Sequence, residues 1–325
     1  MTTKKPKIPL KPKATDNGVG THKQSRQVLS TLSQVISSKN DERADLFIHP
    51  QFFEDLPQGL VTTNMTTRVA RLVLELIMYI SKPALAYYDE KNNTIVFDNL
   101  GQLSKTLEIP PDKLKKTMIA LGSYQLPTFY TNGLNEMVEE YSSLFKVRFI
   151  YDQALQNKYG TSEIIEDGEP ETIAKAKRIG TYEANYIPGE TAKRIEIIPD
   201  ERIIKSLSGE STWGGYITTT DNISLLTKGL DPIELKLFTY IGTKYKDFSA
   251  KAQKVIKDLT LVAQVKTQGK PRIIERLLKG LETMKSLKVI RSYDYDQEKE
   301  IFHWSQATEV YNYDGPRKND KHPKS

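Results

Sequence analysis

The chain has 325 residues, 38% hydrophobic and 27% charged, with a formal charge of +6 and no cysteine. That length suits two ordinary domains or one large one, and the lack of cysteine excludes disulfide frameworks, thiolate nucleophiles and cysteine-ligated zinc. No apolar run approaches the roughly 20 residues that span a bilayer, and the N-terminus lacks the apolar core of a secretory signal, so a cytoplasmic protein without membrane contact is expected.

Residues 1–27 carry seven Lys/Arg against one acid and no apolar periodicity, which predicts a disordered basic tail. A first domain is expected over 45–210. From Thr66, the residues Val69, Leu72, Val73, Leu76, Ile77 and Ile80 repeat at the spacing of one buried helical face. Thr94-Ile95-Val96-Phe97 reads as a strand after the turn-forming Asn92-Asn93. Asn99 can cap a helix with Leu100, Leu103 and Leu107 inward, and Pro110-Pro111-Asp112 starts another with Leu114, Met118 and Leu121 inward. Lys113, Lys115 and Lys116 lie near the start of that last helix. Phe145 to Tyr151 and Arg194 to Ile198 look like two strands of a wing, separated by an acidic insertion over 152–193. Pro199-Asp200-Glu201 opens a short helix with Ile203, Ile204 and Leu207. Gly209 to Gly215 is the best candidate for a linker between domains.

The second domain is expected over 221–305. Asp231-Pro232 opens an amphipathic helix with Leu235, Phe238, Ile241 and Tyr245 on one face, and a second helix begins near Ser249 with Val255, Leu259 and Val262 inward. A third runs from Lys270 to Leu287 on the stripe Ile273, Ile274, Leu277, Leu281, Met284 and Leu287. Val289 to Trp304 then alternates like a two-stranded hairpin turning at Asp294 to Lys299. Residues 314–325 repeat the character of a basic disordered tail. The ordering predicts an α+β fold of two tandem winged-helix domains, with the element order of the first block repeated in the second.

Charge follows this division. Residues 1–27 and 221–325 each sum to +6 and the middle, 28–220, to −6, which points to a polyanionic partner met mainly by the C-terminal half. In a winged helix the third helix enters the DNA major groove. Lys270, Arg272, Arg276 and Lys279 fall mainly off its apolar stripe, and Arg can grip guanine with two parallel hydrogen bonds. A single such residue is as readily an ordinary solvated side chain, so the group and the following hairpin carry the reading. Tyr293, Tyr295 and Lys299 near the wing tip are expected to touch the DNA backbone, as are Lys113, Lys115 and Lys116 of the first domain. Phe302 and Trp304 are expected to close the core.

No enzyme is expected. The four histidines are not spaced as metal ligands, and neither a phosphate-binding G-x-x-x-x-G-K-[ST] loop nor a G-x-S-x-G elbow occurs. No metal or other cofactor is expected.

Several features together resemble the initiator replication proteins of iteron-containing bacterial plasmids. They are the opening helix Thr66 to Ile80, the helix pair Leu100 to Leu121, and the strand and helix from Arg194 to Leu207. To these is added the run Leu225-Leu226-Thr227-Lys228 to Leu237-Phe238-Thr239-Tyr240, ending in Lys244-Tyr245. Gly229 stands where that family has an aromatic residue, and Thr243 where it has serine. The resemblance covers about residues 45–305 and implies a protein that binds repeated double-stranded DNA sites at a replication origin. It further implies recruitment of a host helicase or initiator protein, and a homodimer that represses its own promoter. The helix from Val69 to Ile80 is a place for the dimer contact, although its stripe reads first as core. The competing expectations are a winged-helix transcriptional repressor and a protein-assembly scaffold without an initiation role.

Overall fold

The computed structural model describes residues 20–37, 65–82, 87–107, 109–123, 125–131, 137–150, 194–209, 215–244 and 247–312. The expected acidic insertion and the tail over 314–325 lie outside these residues. The fold is α+β, and among the described residues no helix is long and apolar enough to cross a membrane.

The first block begins with helix α2 (Thr67–Ser81), whose N-cap Thr66 accepts from the Val69 amide at 3.3 Å. Strands β2 (Tyr88–Asp89) and β3 (Thr94–Phe97) follow, then α3 (Leu100–Leu107) and α4 (Pro111–Ser123). A hairpin that the sequence reading missed, β4 (Gln125–Thr131) with β5 (Met137–Ser143), leads to β6 (Phe145–Ile150). Across the insertion, β7 (Arg194–Pro199) pairs antiparallel with β6, Phe145 opposite Pro199 and Ile150 opposite Arg194. The sheet order is β2-β3-β7-β6, and α5 (Glu201–Ser208) closes the block under the N-cap of Asp200.

After β8 (Tyr216–Thr220) and the short α6 (Ile223–Leu226), the second block repeats this plan. Helix α7 (Pro232–Gly242) starts with a capping box: Asp231 accepts from the Glu234 amide, and Glu234 accepts from the Asp231 amide at 2.9 Å. Next come β9 (Phe248–Lys251), α8 (Ala252–Asp258), α9 (Val262–Gln268), α10 (Lys270–Ser286), β10 (Ile290–Asp296) and β11 (Ile301–Gln306). The sheet order is β10-β11-β9. In both blocks the strand before the helices pairs with the returning strand of the hairpin, so the duplication in element order extends to strand order. The single helix expected from Ser249 is corrected to a strand and two helices, broken at Thr260, whose φ of 54° no regular helix accommodates.

The larger correction concerns the N-terminus. Of the segment expected to be a disordered tail, residues 1–19 lie outside the described residues. The rest forms β1 (Thr21–Ser25) and the start of α1 (Arg26–Val35). Strand β1 pairs with β8, Thr21 opposite Thr220 and Ser25 opposite Tyr216, while β12 (Tyr311–Asn312) pairs on the other side of β8. This three-stranded sheet joins both ends of the described chain to the segment between the blocks, which the expected domains 45–210 and 221–305 leave out. Of the expected linker, 210–214 lies outside the described residues; Gly209 ends α5 at φ 95°, and the Gly215 carbonyl accepts from the Arg26 amide. Two cations assigned to the tail are built into the fold. Lys23 donates to the Leu207 carbonyl and lies over the Tyr216 ring, and Arg26 donates to the Thr243 carbonyl.

One continuous apolar core runs through both blocks. The opening helices α2 and α7 are not half-exposed, as a one-face stripe would make them. Every residue from Leu72 to Ile80 is buried, and so is every residue from Leu235 to Gly242. Helix α2 is covered by β1, β3, α4 and α6, and α7 is held between α1 and α10. A helix buried all round has no face left for a second protomer, so a dimer contact on Val69 to Ile80 is not available in this fold.

At the seam, the buried His22 of β1 donates from Nδ1 to Asp221 at 3.1 Å, and its Nε2 accepts from Gln24, whose amide also donates to the Leu74 carbonyl. Lys82, at the end of α2, pairs with the same Asp221. Burial pushes the His22 pKa below 6.5; the Asp221 bond and charge oppose this, and Lys82 adds to it. The neutral ring is therefore the folded form. Unfolded His22 takes up a proton near pH 6.5 and folded His22 does so only at lower pH, so stability present above 6.5 falls as pH drops below it. A urea midpoint lower at pH 5.5 than at 7.5 is expected, with the difference reduced in His22→Asn; a wild-type midpoint unchanged between those pH values would refute it.

Candidate nucleic-acid interface

Helix α10 begins after Gly269, whose φ of 86° turns the chain sharply out of α9, and Pro271 sits in its first turn. Ile273, Leu277, Leu281 and Met284 are buried against α7 and β10. The crossing with α7 is close at Gly280, where a Cβ would stand 2.5 Å from Cδ1 of Leu237. Thr283 adds a bond to the Glu234 carboxylate at 2.7 Å. These contacts fix which way the rest of the helix faces.

Arg272, Arg276 and Lys279 point away from this core. At 3.6 residues per turn they fall within about 60° of one another. Arg272 and Lys279 are exposed and Arg276 is half-buried, and none of the three side chains has an ion-pair partner among the described residues. Glu282, the acid nearest the end of the helix, is engaged by the Tyr293 hydroxyl at 2.8 Å, which raises the Tyr293 pKa. From Ala252 to Ser286 the helices carry eight Lys/Arg against three acids. Exposed Lys254, Lys257 and Lys266 on α8 and α9 extend this cationic surface. Sequence reasoning misses these three lysines, since a single helix from Ser249 does not divide at Thr260.

The hairpin has the opposite charge. Its turn, 294–300, holds Asp294, Asp296, Glu298 and Glu300 against Lys299 alone. All three hairpin residues expected to touch the DNA backbone have partners within the chain. Lys299 is tied to Asp296, by its ammonium at 3.2 Å and its amide at 2.9 Å. Tyr295 packs on Phe302 with ring centroids 4.6 Å apart, which spends its apolar face on the domain. Lys270 is bound by both oxygens of Glu300, at 2.6 and 2.5 Å. Phe302 and Trp304 are buried, as expected of core residues.

On the outward side of this sheet, Ser249, His303 and Asp294 stand directly opposite one another on three strands. With Asp247, Ser292 and Ser305 they line a dish of ≈ 380 Å³. Its acidic lining is unsuited to phosphate. Among the described residues no group of three or more His, Cys, Asp or Glu could hold a metal ion.

In the first block Lys113 is exposed on the first turn of α4. Lys115 is not available to DNA: only 4% of it is exposed, and its ammonium lies 5.6 Å from the Phe149 ring centre. The Lys116 side chain lies outside the described residues. A cationic face that sequence reasoning missed is the outer side of β6 and β7. Lys146, Arg148 and Arg194 are exposed there, and Glu196 binds Arg194 at 2.8 Å and Arg148 at 3.6 Å. The alternation Phe145-Lys-Val-Arg-Phe149 was the signal for it. No protein family, no curated protein and no solved structure gives a match to this chain.

Proposed function

We propose that the two blocks are tandem winged helices and that the chain is a duplex-DNA-binding replication initiator of the iteron-plasmid kind, acting in the cytoplasm. Helix α10 would read the major groove. The observation that carries this is the face of Arg272, Arg276 and Lys279, exposed at Arg272 and Lys279, half-buried at Arg276 and without an acidic partner among the described residues, on a helix held by its buried apolar face. The strand order shared by both blocks, with the helices between first strand and hairpin, supports the winged-helix reading. The mechanism is binding rather than catalysis: guanidinium groups pair with base edges, lysines with phosphates, and recognition of repeated sites gathers protomers and a host helicase or initiator at the origin. Autorepression by a homodimer belongs to the same proposal, with the dimer contact elsewhere than α2.

The test is duplex binding as a function of salt, with a site selected by the protein from random sequence and with a random duplex. Each good arginine–base pair contributes about 1–3 kcal/mol of discrimination. Arg272→Ala with Arg276→Ala is therefore expected to weaken the selected site about 30-fold or more, and Lys113→Ala only slightly. Equal losses would sink the assignment of α10 as the reader. Tandem repeats of about 20 base pairs beside the coding gene would support initiation over simple repression. The acidic second wing favours the rival reading, a protein-assembly scaffold, which predicts no salt-dependent duplex affinity.

A further inference from the structure

Lys270 opens the helix assigned to DNA, yet its charge is already answered from within the chain. A lysine at a helix N-terminus is poorly placed against the helix dipole, and a carboxylate is well placed there. Glu300 supplies that carboxylate from the far end of the hairpin turn, with both oxygens on the Lys270 ammonium and side chains 37% and 48% exposed. The position of Glu300 is itself fixed, because its carbonyl accepts from the Ala252 amide at the start of α8 at 2.7 Å and its φ is 53°. The carboxylate thus occupies the place next to α10 that a DNA phosphate would otherwise take. Asp294, Asp296 and Glu298 belong to the same turn, which is acidic as a whole.

We propose that Glu300 is an internal phosphate mimic that withholds Lys270 from DNA and so restrains sequence-independent binding. This rests on the reading of α10 as the DNA face. Non-specific affinity is almost wholly electrostatic, so masking one cation lowers it while leaving the base contacts of Arg272 and Arg276 in place. The wing then acts as a brake on loose association rather than as a second grip.

Binding of a random 20-base-pair duplex, measured from 50 to 200 mM salt, tests this with Glu300→Gln, Lys270→Ala and the double variant. Freeing one lysine steepens the slope of log affinity against log salt by about 0.9, so Glu300→Gln loses about 3.5-fold more affinity than wild type over that range. At 50 mM salt it binds about three- to five-fold more tightly, the scale of one exposed ion pair. Lys270→Ala alone changes little, and it abolishes the gain when combined with Glu300→Gln. The proposal is overturned if Glu300→Gln matches wild type, if its gain survives without Lys270, or if Lys270→Ala alone weakens binding by as much as Glu300→Gln strengthens it. A wild-type protein with no salt-dependent duplex binding overturns both this proposal and the assignment of α10. A wild type that binds while Glu300→Gln has no effect overturns this one alone.

Discussion

Replacing Tyr311 with alanine is expected to destabilise the protein by about 3–5 kcal/mol, the range for emptying a large buried aromatic site. Tyr311 belongs to a strand of two residues, yet it is 1% exposed and packs on Phe238 with ring centroids 5.2 Å apart. Its hydroxyl donates to the Phe238 carbonyl at 3.2 Å, and its ring lies where a Cβ on Gly242 would approach to 2.7 Å. The alanine variant would lose that fit and leave a cavity between α7 and the three-stranded sheet. Tyr311→Phe should recover most of the loss, since it forfeits one hydrogen bond of about 1 kcal/mol. Equilibrium urea unfolding of the full chain checks both, and a loss below 1 kcal/mol for Tyr311→Ala would show that β12 is dispensable.

Lys236→Met is expected to cost about 2–4 kcal/mol. The ammonium of Lys236 is enclosed in the fold and donates to the carbonyls of Ser33 (3.2 Å), Gln34 (2.9 Å) and Leu259 (3.0 Å), and to the Thr260 hydroxyl (2.9 Å). The carbonyls come from the ends of α1 and α8, where helices leave acceptors unsatisfied and favour a cation. Helix α1 has no basic residue in its own last turn, so the cation arrives from α7. Burial pushes the Lys236 pKa down to about 7, whereas hydrogen bonds donated by a charged group favour its charged form. Methionine removes the desolvation cost and keeps the volume, but takes the ammonium from the buried Ser33 and Leu259 carbonyls at about 1–3 kcal/mol each, and the second effect outweighs the first. Faster amide exchange in α1 than in α10 should accompany the loss, because the lysine's bonds tie the C-terminal turn of α1 to the second block. Unchanged unfolding would show the acceptors satisfied some other way.

Much of the local structure was legible in the residues. The strand Thr94–Phe97, the helix starting at Pro111 and the pairing of 145–150 with 194–199 across the insertion all appear where caps, breakers and alternation put them. Those signals are local: a proline that opens a helix or a run of β-branched residues acts on its own backbone. Strand β1 has no such signal. Thr21-His-Lys-Gln-Ser25 is polar, and it is a strand because β8 offers it a hydrogen-bonding edge and α2 a surface. The same holds for β9, whose Phe248-Ser-Ala-Lys251 pairs with β11.

For the candidate site, the apolar stripe of α10 was readable from its period, and with it the outward direction of Arg272, Arg276 and Lys279. Which cations remained available was not readable. Lys115 was assigned to the surface by its sequence neighbours and went under Phe149. Lys270 met an acid 30 positions away, and Lys236 met carbonyls more than 200 positions away. Period and capping determine where a helix begins and which face seeks the core, because they act within a few residues. Burial of α7 on its second face, the sheet that unites both ends with the middle, and the pairing of individual charges depend on which segments meet in space. Packing of the whole chain alone sets those meetings, since the energies that decide them, desolvation and paired hydrogen bonds, exist only once the partners are in contact.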